Sequence, residues 1–326
     1  MRIALDAMGT DDAPSSEVAG AVAAVEADPG LHVILVGDET ALVRPLSRFR
    51  GQDRISVIHA PDRIASSDAP ASVVRRRPRS SISVGLGLQA TGEADAFVSA
   101  GSTGAVMAAS VLLLRPLKGV DRPALATFFP TNSGLTLVAD VGANIECKPH
   151  QLVQFASLGS IYMQDLQGIE TPRVGLLNVG TEAEKGTEVL QVAYRLLAAS
   201  DLNFVGNIEG RDILLHGCDV LVCDGFNGNI LLKFYESVAA FMVRKLAPGL
   251  RVAGLRDKVD DLLRDLDYAE HGGAPLLGVN GVSVICHGRS SPRAISAGIG
   301  VAVRAVRSGL VGHMAQDLSR LETSGA

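Results

Sequence analysis

Apolar residues fall into short β-branched runs separated by stretches of helical spacing. Runs at 3–5, 32–36, 55–58, 96–99, 125–129, 135–141, 173–179, 204–208, 220–223 and 282–286 read as strands. Between them, segments such as 18–27, 152–164 and 189–199 repeat apolar residues every three to four positions, the period of a helix packed along one face. The alternation predicts an α/β fold, a mostly parallel sheet with helices on both faces. Several strands are apolar at every position, as a sheet covered on both faces requires. Residues 236–268 keep helical spacing outside the alternation and read as a protruding helical segment. No repeat, low-complexity tract or Pro/Ser linker interrupts the chain, so 1–326 reads as a single α/β domain.

Polar residues concentrate where strands end. The exits read DAMGTD, VGDE, SAGSTG, DVGAN, NVGTE, GNIEG, CDGFNGN and CHGRSS. Glycine lets backbone approach a ligand, and the helix that follows offers free N–H groups to an anion. In open parallel sheets, ligands bind outside the carboxyl ends of the strands. One such loop is ordinary turn chemistry. Eight of them predict a ligand cleft. Lys185 follows NVGTE and reads as the start of a helix, where an ammonium either meets a phosphate or is simply solvated. His287, Gly288 and Ser290 stand between a strand and a helix start, a pocket suited to an oxyanion or phosphate. Ser291–Pro292 reads as the N-cap and first residue of that helix, and Asp6 and Asp140 read as loop caps.

Composition narrows the chemistry. A net charge of −5 argues against a whole-molecule grip on nucleic acid. Cys147, Cys218, Cys223 and Cys286 form no CxxC and read as reduced core thiols, which suits a cytoplasmic protein. The apolar stretch of MRIALDAMGT ends at Asp6, too soon for a cleavable signal, and the run at 105–114 is too short to span a bilayer. GLGLQA precedes a strand where a dinucleotide fingerprint must follow one. In GTEAEKGT the lysine precedes the glycine, so no Walker cradle forms. Asp257, Asp261 and Asp265 are interleaved with Arg256, Lys258 and Arg264 and read as a solvated helix, not a metal face. No HExxH or GxSxG appears, so no metal and no cofactor is expected.

Taken together, ALDAMG, SAGSTGA, DVGAN, QFASLGS, NVGTEAEKG, NIEGRDI, CDGFNGN, GGAPLLG and HGRSS resemble, in order and over most of the chain, the bacterial phosphate acyltransferases of phospholipid synthesis. Thr10, Ser102, Thr181 and Ile285 stand where that family commonly has other residues. The resemblance implies a fold like that of isocitrate and isopropylmalate dehydrogenases, serving as one catalytic domain, and a homodimer. It implies transfer of a fatty acyl group from acyl carrier protein to inorganic phosphate. The acyl phosphate would feed a membrane glycerol-3-phosphate acyltransferase, with the enzyme in the cytoplasm or at the inner face of the membrane. Phosphate itself is then the nucleophile, which suits the missing triads. The candidate catalytic residues are Lys185, His287 and Asn144. Ser102, Thr103, Gly104, Gly288 and Ser290 are the candidate phosphate holders, and Asn178, Asp224 and Asn229 shape the cleft. Transfer from acyl-CoA and a non-catalytic scaffold of lipid synthesis are the alternatives.

The densest basic run is RRRPR. Arg75, Arg76, Arg77 and Arg79 form a candidate docking site for the acidic carrier, with Pro78 expected to hold the run as a loop. In FMVRKLAPGLRVAGL, apolar residues alternate with Arg244, Lys245 and Arg251, a pattern shared by membrane-surface helices and dimer helices.

Overall fold

The computed structural model describes residues 1–49, 53–65, 68, 70–252 and 272–324. Contacts divide the chain into two compact units, Met1–Pro123 with His271–Ala326, and Ala124–Glu270.

In the first unit, β1 (Arg2–Asp6) is the buried centre. It pairs in parallel with β2 (His32–Gly37) and with β4 (Ala96–Ser99). β3 (Ile55–His59) extends the sheet beyond β2. On the other side β11 (Val282–Ile285) joins β4 in parallel, and β10 (Ala274–Leu277) joins β11 antiparallel. The sequence did not suggest β10: four residues after paired glycines, with Pro275 among them, lack both a run and a donor. Helices α1 (Ser15–Ala27), α2 (Glu39–Leu46), α3 (Pro70–Arg76), α4 (Ser81–Ala90) and α5 (Thr103–Leu113) fill the connections. A β-carbon on Gly20 of α1 would lie 2.7 Å from Ile295 Cβ. That contact sets α1 tightly against the helix after β11.

In the second unit, β5 (Ala124–Thr131) and β6 (Gly134–Ala139) form an antiparallel pair. β9 (Val220–Val222) joins β6, β7 (Val174–Asn178) joins β9, and β8 (Phe204–Glu209) joins β7, all in parallel. Helix α6 (Pro149–Gln167) ends on Gly168 in the left-handed region, φ 70°. Helix α7 (Glu188–Ala198) is capped by the Thr187 hydroxyl, and α8 spans Gly225–Val252. The first part of the 236–268 segment is thus the end of α8. The rest, with the three aspartates at 257, 261 and 265, lies outside the described residues.

After β11 come α9 (Pro292–Arg307) and α10 (Leu310–Ser324) in the first unit. Ser291 caps α9 by accepting from the Ala294 amide, with Pro292 next, as its sequence predicts. Among the described residues no single helix is long and apolar enough to cross a membrane.

Candidate functional site

Three strand exits of the first unit meet. Asp6 is buried; its Oδ1 accepts the Met8 amide at 3.0 Å and its Oδ2 accepts the Ser99 hydroxyl at 2.6 Å. Ser99 Oγ in turn accepts the Gly101 amide at 3.0 Å. A β-carbon on Gly9 would lie 2.7 Å from the Gly101 nitrogen, so the β1 and β4 exits pack backbone to backbone. The Cys286 amide donates to the Ser99 carbonyl at 2.8 Å, and the Asp11 amide donates to the Gly288 carbonyl at 2.7 Å. These bonds bring in the β11 exit. Burial raises the Asp6 carboxyl, and the bonds from Ser81, Ser99 and Met8 oppose the shift. Asp6 is a fully used loop cap, as its position suggests.

The phosphate candidates stand on these exits. Ser102 is the N-cap position before α5, half-buried, and its side chain makes no capping bond. The first amides of an eleven-residue helix at Thr103 and Gly104 therefore have no side-chain cap. Such an end favours an anion. His287 Nδ1 accepts the Arg289 amide at 3.0 Å. In the neutral ring this leaves the proton on Nε2, a donor. The Ser290 amide donates to the His287 carbonyl at 2.9 Å, while Ser290 Oγ is buried without a hydrogen bond.

The second unit uses its polar side chains differently. Asp140 is fully buried. Its Oδ1 accepts the amides of Leu125, Gly142 and Ala143 at 3.0, 3.2 and 3.0 Å. Its Oδ2 accepts the Asn144 amide at 2.6 Å and the Asn144 side-chain amide at 2.9 Å. Burial raises the carboxyl and this ring of donors opposes the rise. Asn144 is therefore tied to Asp140, and its carbonyl accepts the Gly225 amide at 2.7 Å. A β-carbon on Gly228 would overlap the Asp140 carbonyl, so the start of α8 is pressed onto this loop. Asp224 accepts the Asn227 amide at 2.8 Å and its side-chain amide at 2.7 Å. Asn229 is exposed on α8 and lies beside Gly142.

Asn178 is buried; it donates to the Lys185 carbonyl at 3.1 Å and accepts the Val179 amide at 2.8 Å, closing the loop between them. Lys185 does not open a helix. It lies in a turn two residues before the Thr187 cap, because Gly186 takes φ +84° and only then can α7 begin. Its ammonium is exposed and its stem crosses Gly180, whose β-carbon would lie 3.0 Å from Lys185 Cγ.

The arginine run departs from a simple loop. Arg75 and Arg76 form the last turn of α3, which stops before Pro78 because the residue preceding a proline disfavours helix. Arg77 is half-buried, donates to the Arg63 carbonyl and pairs with Asp68 at 3.8 Å. Arg75, Arg76 and Arg79 are exposed. Three of the cysteines are core thiols: burial pushes Cys218 and Cys286 up to about 12 and Cys223 well above its usual value, whereas Cys147 is half-buried in the loop after β6 and departs from that expectation. Sequence reasoning missed Ser99, Asp11 and Glu17, which fasten the exits together. Ser99 and Asp11 carried a signal, as polar residues of the SAGSTG and DAMGTD exits; Glu17 carried none.

A family model described as fatty acid synthesis protein matches residues 1–312. A relative from Desulforamulus reducens named phosphate acyltransferase is 45% identical over 325 residues, 98% of this chain and 97% of its own length. One from Moorella thermoacetica with the same name is 47% identical over 319 residues, 95% of this chain and 94% of its own. Among solved structures, the EutD phosphotransacetylase from Staphylococcus aureus aligns with a TM-score of 0.62 at 17% identity, over 94% of each chain. A branched-chain phosphotransacylase from Enterococcus faecalis V583 aligns with a TM-score of 0.62 at 16% identity, over 94% of this chain and 99% of its own. These two show the α/β fold.

Proposed function

The chain belongs to the fatty acid synthesis protein family, with phosphate acyltransferases as its near relatives, and from that membership we propose an enzyme that moves a fatty acyl group from acyl carrier protein to inorganic phosphate. One observation carries the phosphate half: the buried Ser290 hydroxyl has no hydrogen bond, in the loop that its amide closes onto the His287 carbonyl. The open N-terminus of α5, at Ser102, Thr103 and Gly104, supplies further N–H donors. Lys185, exposed after the β7 exit, is the candidate cation of the second unit.

A phosphate oxygen attacks the thioester carbonyl carbon. The carbon–sulfur bond breaks, the carrier thiol leaves with its electron pair and takes a proton, and the acyl phosphate remains. No protein nucleophile is used, which agrees with Cys218, Cys223 and Cys286 held protonated by burial. Positioning alone is worth roughly 7–11 kcal/mol in favourable cases. One donor at the developing oxyanion, the role assigned to His287 Nε2–H, is worth on the order of 3 kcal/mol. Asn144, Asn178 and Asp224 keep the loops of the second unit in shape, and Asn229 lines Gly142 beside them.

The acyl phosphate would pass to a membrane glycerol-3-phosphate acyltransferase. A second copy of the chain is the partner we assign to α8, where Phe226, Ile230, Phe234 and Phe241 are exposed along one helix. The protein works in the cytoplasm, with contact at the inner face of the membrane. The decisive experiment incubates the purified protein with acylated carrier and phosphate and follows free thiol and acyl phosphate together. Equal release of both is expected. Release from acyl-CoA but not from the carrier would transfer the reading to a CoA enzyme, and binding without turnover would make the protein a scaffold.

A further inference from the structure

The β1 exit is held from two sides by groups that the acyl transfer does not use. Glu17, in the first turn of α1, is fully buried. First-turn glutamates ordinarily face solvent and favour the helix dipole from there. This one turns inward: its Oε1 accepts the Thr10 amide at 2.6 Å. Its Oε2 and the Thr10 hydroxyl are both buried without a hydrogen bond. From the opposite side Arg63 donates to the Thr10 carbonyl at 2.9 Å. The next amide, that of Asp11, donates to the Gly288 carbonyl at 2.7 Å. The Glu17 carboxyl is thus one residue removed from the 287–290 loop. Burying a carboxyl that lacks a full set of partners is costly, and a loop cap needs no glutamate.

We propose that Glu17 is a positioning residue whose neutral form fixes the Thr10–Asp11 backbone and, through it, sets Gly288 and the anion-holding loop for inorganic phosphate. The identity of the anion rests on the acyl-transfer reading. Neutral Glu17 offers one oxygen to the Thr10 amide and an O–H on the other. The ionised form puts a charge into the same dry site. Burial pushes the group from 4.5 up to about 7, the Asp6 charge acts in the same direction, and the bond from the Thr10 amide opposes it. Asp6 on β1 and Cys286 on β11 are the titratable neighbours that feel it directly. Arg63, Asp11 and His287 are linked through the bonded loops. A carboxyl raised in the folded state contributes stability that is complete below 4.5 and is lost as pH rises through about 7. The grip on the loop therefore weakens on the alkaline side.

The test uses the full chain, inorganic phosphate and the variants Glu17→Gln and Glu17→Ala. Glutamine mimics the neutral acid and does not titrate. The ratio of phosphate KM between wild type and Glu17→Gln cancels the titration of phosphate itself. That ratio is expected to be near one at pH 5.5 and to rise about fivefold by pH 8.5, with the acyl-donor KM ratio flat. Glu17→Ala should raise phosphate KM about tenfold over Glu17→Gln at every pH, as expected for a lost hydrogen bond to a buried amide. A flat phosphate ratio, or parallel changes in both KM values, would overturn the proposal. If the wild-type protein turned over no carrier substrate, the acyl-transfer reading would fail by itself. Amide exchange then decides the positioning role: Glu17→Gln should slow exchange at Thr10 and Asp11 relative to wild type at pH 8.5, and equal rates would refute it.

Discussion

The loops at the strand exits of the two units share a vocabulary of glycine with Asp, Asn, Ser or Thr, but they use it in opposite ways. In the second unit the polar atoms of the DVGAN and NVGTE exits are consumed locally, although Asn207 Oδ1 on β8 is buried without a bond. Asp140 alone receives bonds from four backbone amides and one side chain, and Asn178 closes its own loop with both ends of its amide. In the first unit hydroxyls stand at the exits without protein partners, at Ser290 and Thr10, and α5 begins without a side-chain cap. One set of loops is finished by the fold. The other keeps hydroxyls and helix amides without side-chain partners, as the proposed anion site requires. Glycine next to a polar residue at a strand end therefore marks a built loop, and only the hydrogen-bond accounting says whether it is also a site.

The sharpest way to break this comparison is to remove the carboxylate that the second unit is built around. Asp140→Ala leaves several buried amides without an acceptor. Each orphaned donor costs about 1–3 kcal/mol, so a loss of at least about 3 kcal/mol is expected in chemical denaturation. A variant with the wild-type midpoint would mean that the loop relaxes onto water and that the carboxylate is not structural. Ser290→Ala is the counterpart in the first unit. It removes a hydroxyl with no partner, so stability should not fall. Phosphate KM should rise about tenfold, the scale of one hydrogen bond to a charged group. Lost stability with unchanged phosphate KM would place Ser290 on the structural side.

How much of this was legible in the sequence follows from the same accounting. Every strand but β10 is marked by an apolar run, strongest in β1, β2, β4, β9 and β11, whose residues are almost all buried between covered faces, and weaker in β3 and β8 at the partly exposed edges. β10 is hidden by Pro275 and by its length. The residues of the exits were legible, because glycine beside a polar residue is local. Their division of labour was not. Whether Asn144 is free for chemistry depends on Asp140, four residues away across a turn, and whether Ser290 is paired depends on everything that packs around it. Glu17 was invisible for a related reason: a first-turn glutamate looks solvated until the loop that folds over it is known. Lys185 looked helical because its neighbours are good helix formers, but Gly186 at positive φ delays the helix.

The smallest expected effect concerns the arginines, which extend the comparison from the loops to the surface. Within one short run the same division appears. Arg77 is committed inside the molecule, to the Arg63 carbonyl and Asp68, and Arg63 in turn holds Thr10. Arg75 and Arg79 are exposed on either side of it. Reversing Arg77 would disturb the β1 exit as well as any docking, so the clean variant is Arg75→Glu with Arg79→Glu. Charges exposed to solvent steer an encounter more than they hold a complex, and salt screens them. The carrier KM is therefore expected to rise only about threefold at low ionic strength. The difference should vanish as salt approaches 1 M, where the screening length falls to about 3 Å. Phosphate KM should stay at its wild-type value, since neither side chain belongs to the exits that meet around Gly288. A rise in phosphate KM instead would move these arginines from the carrier to the anion. No change in either constant, with the wild-type response to salt, would leave them as solvated surface and return carrier recognition to some other face.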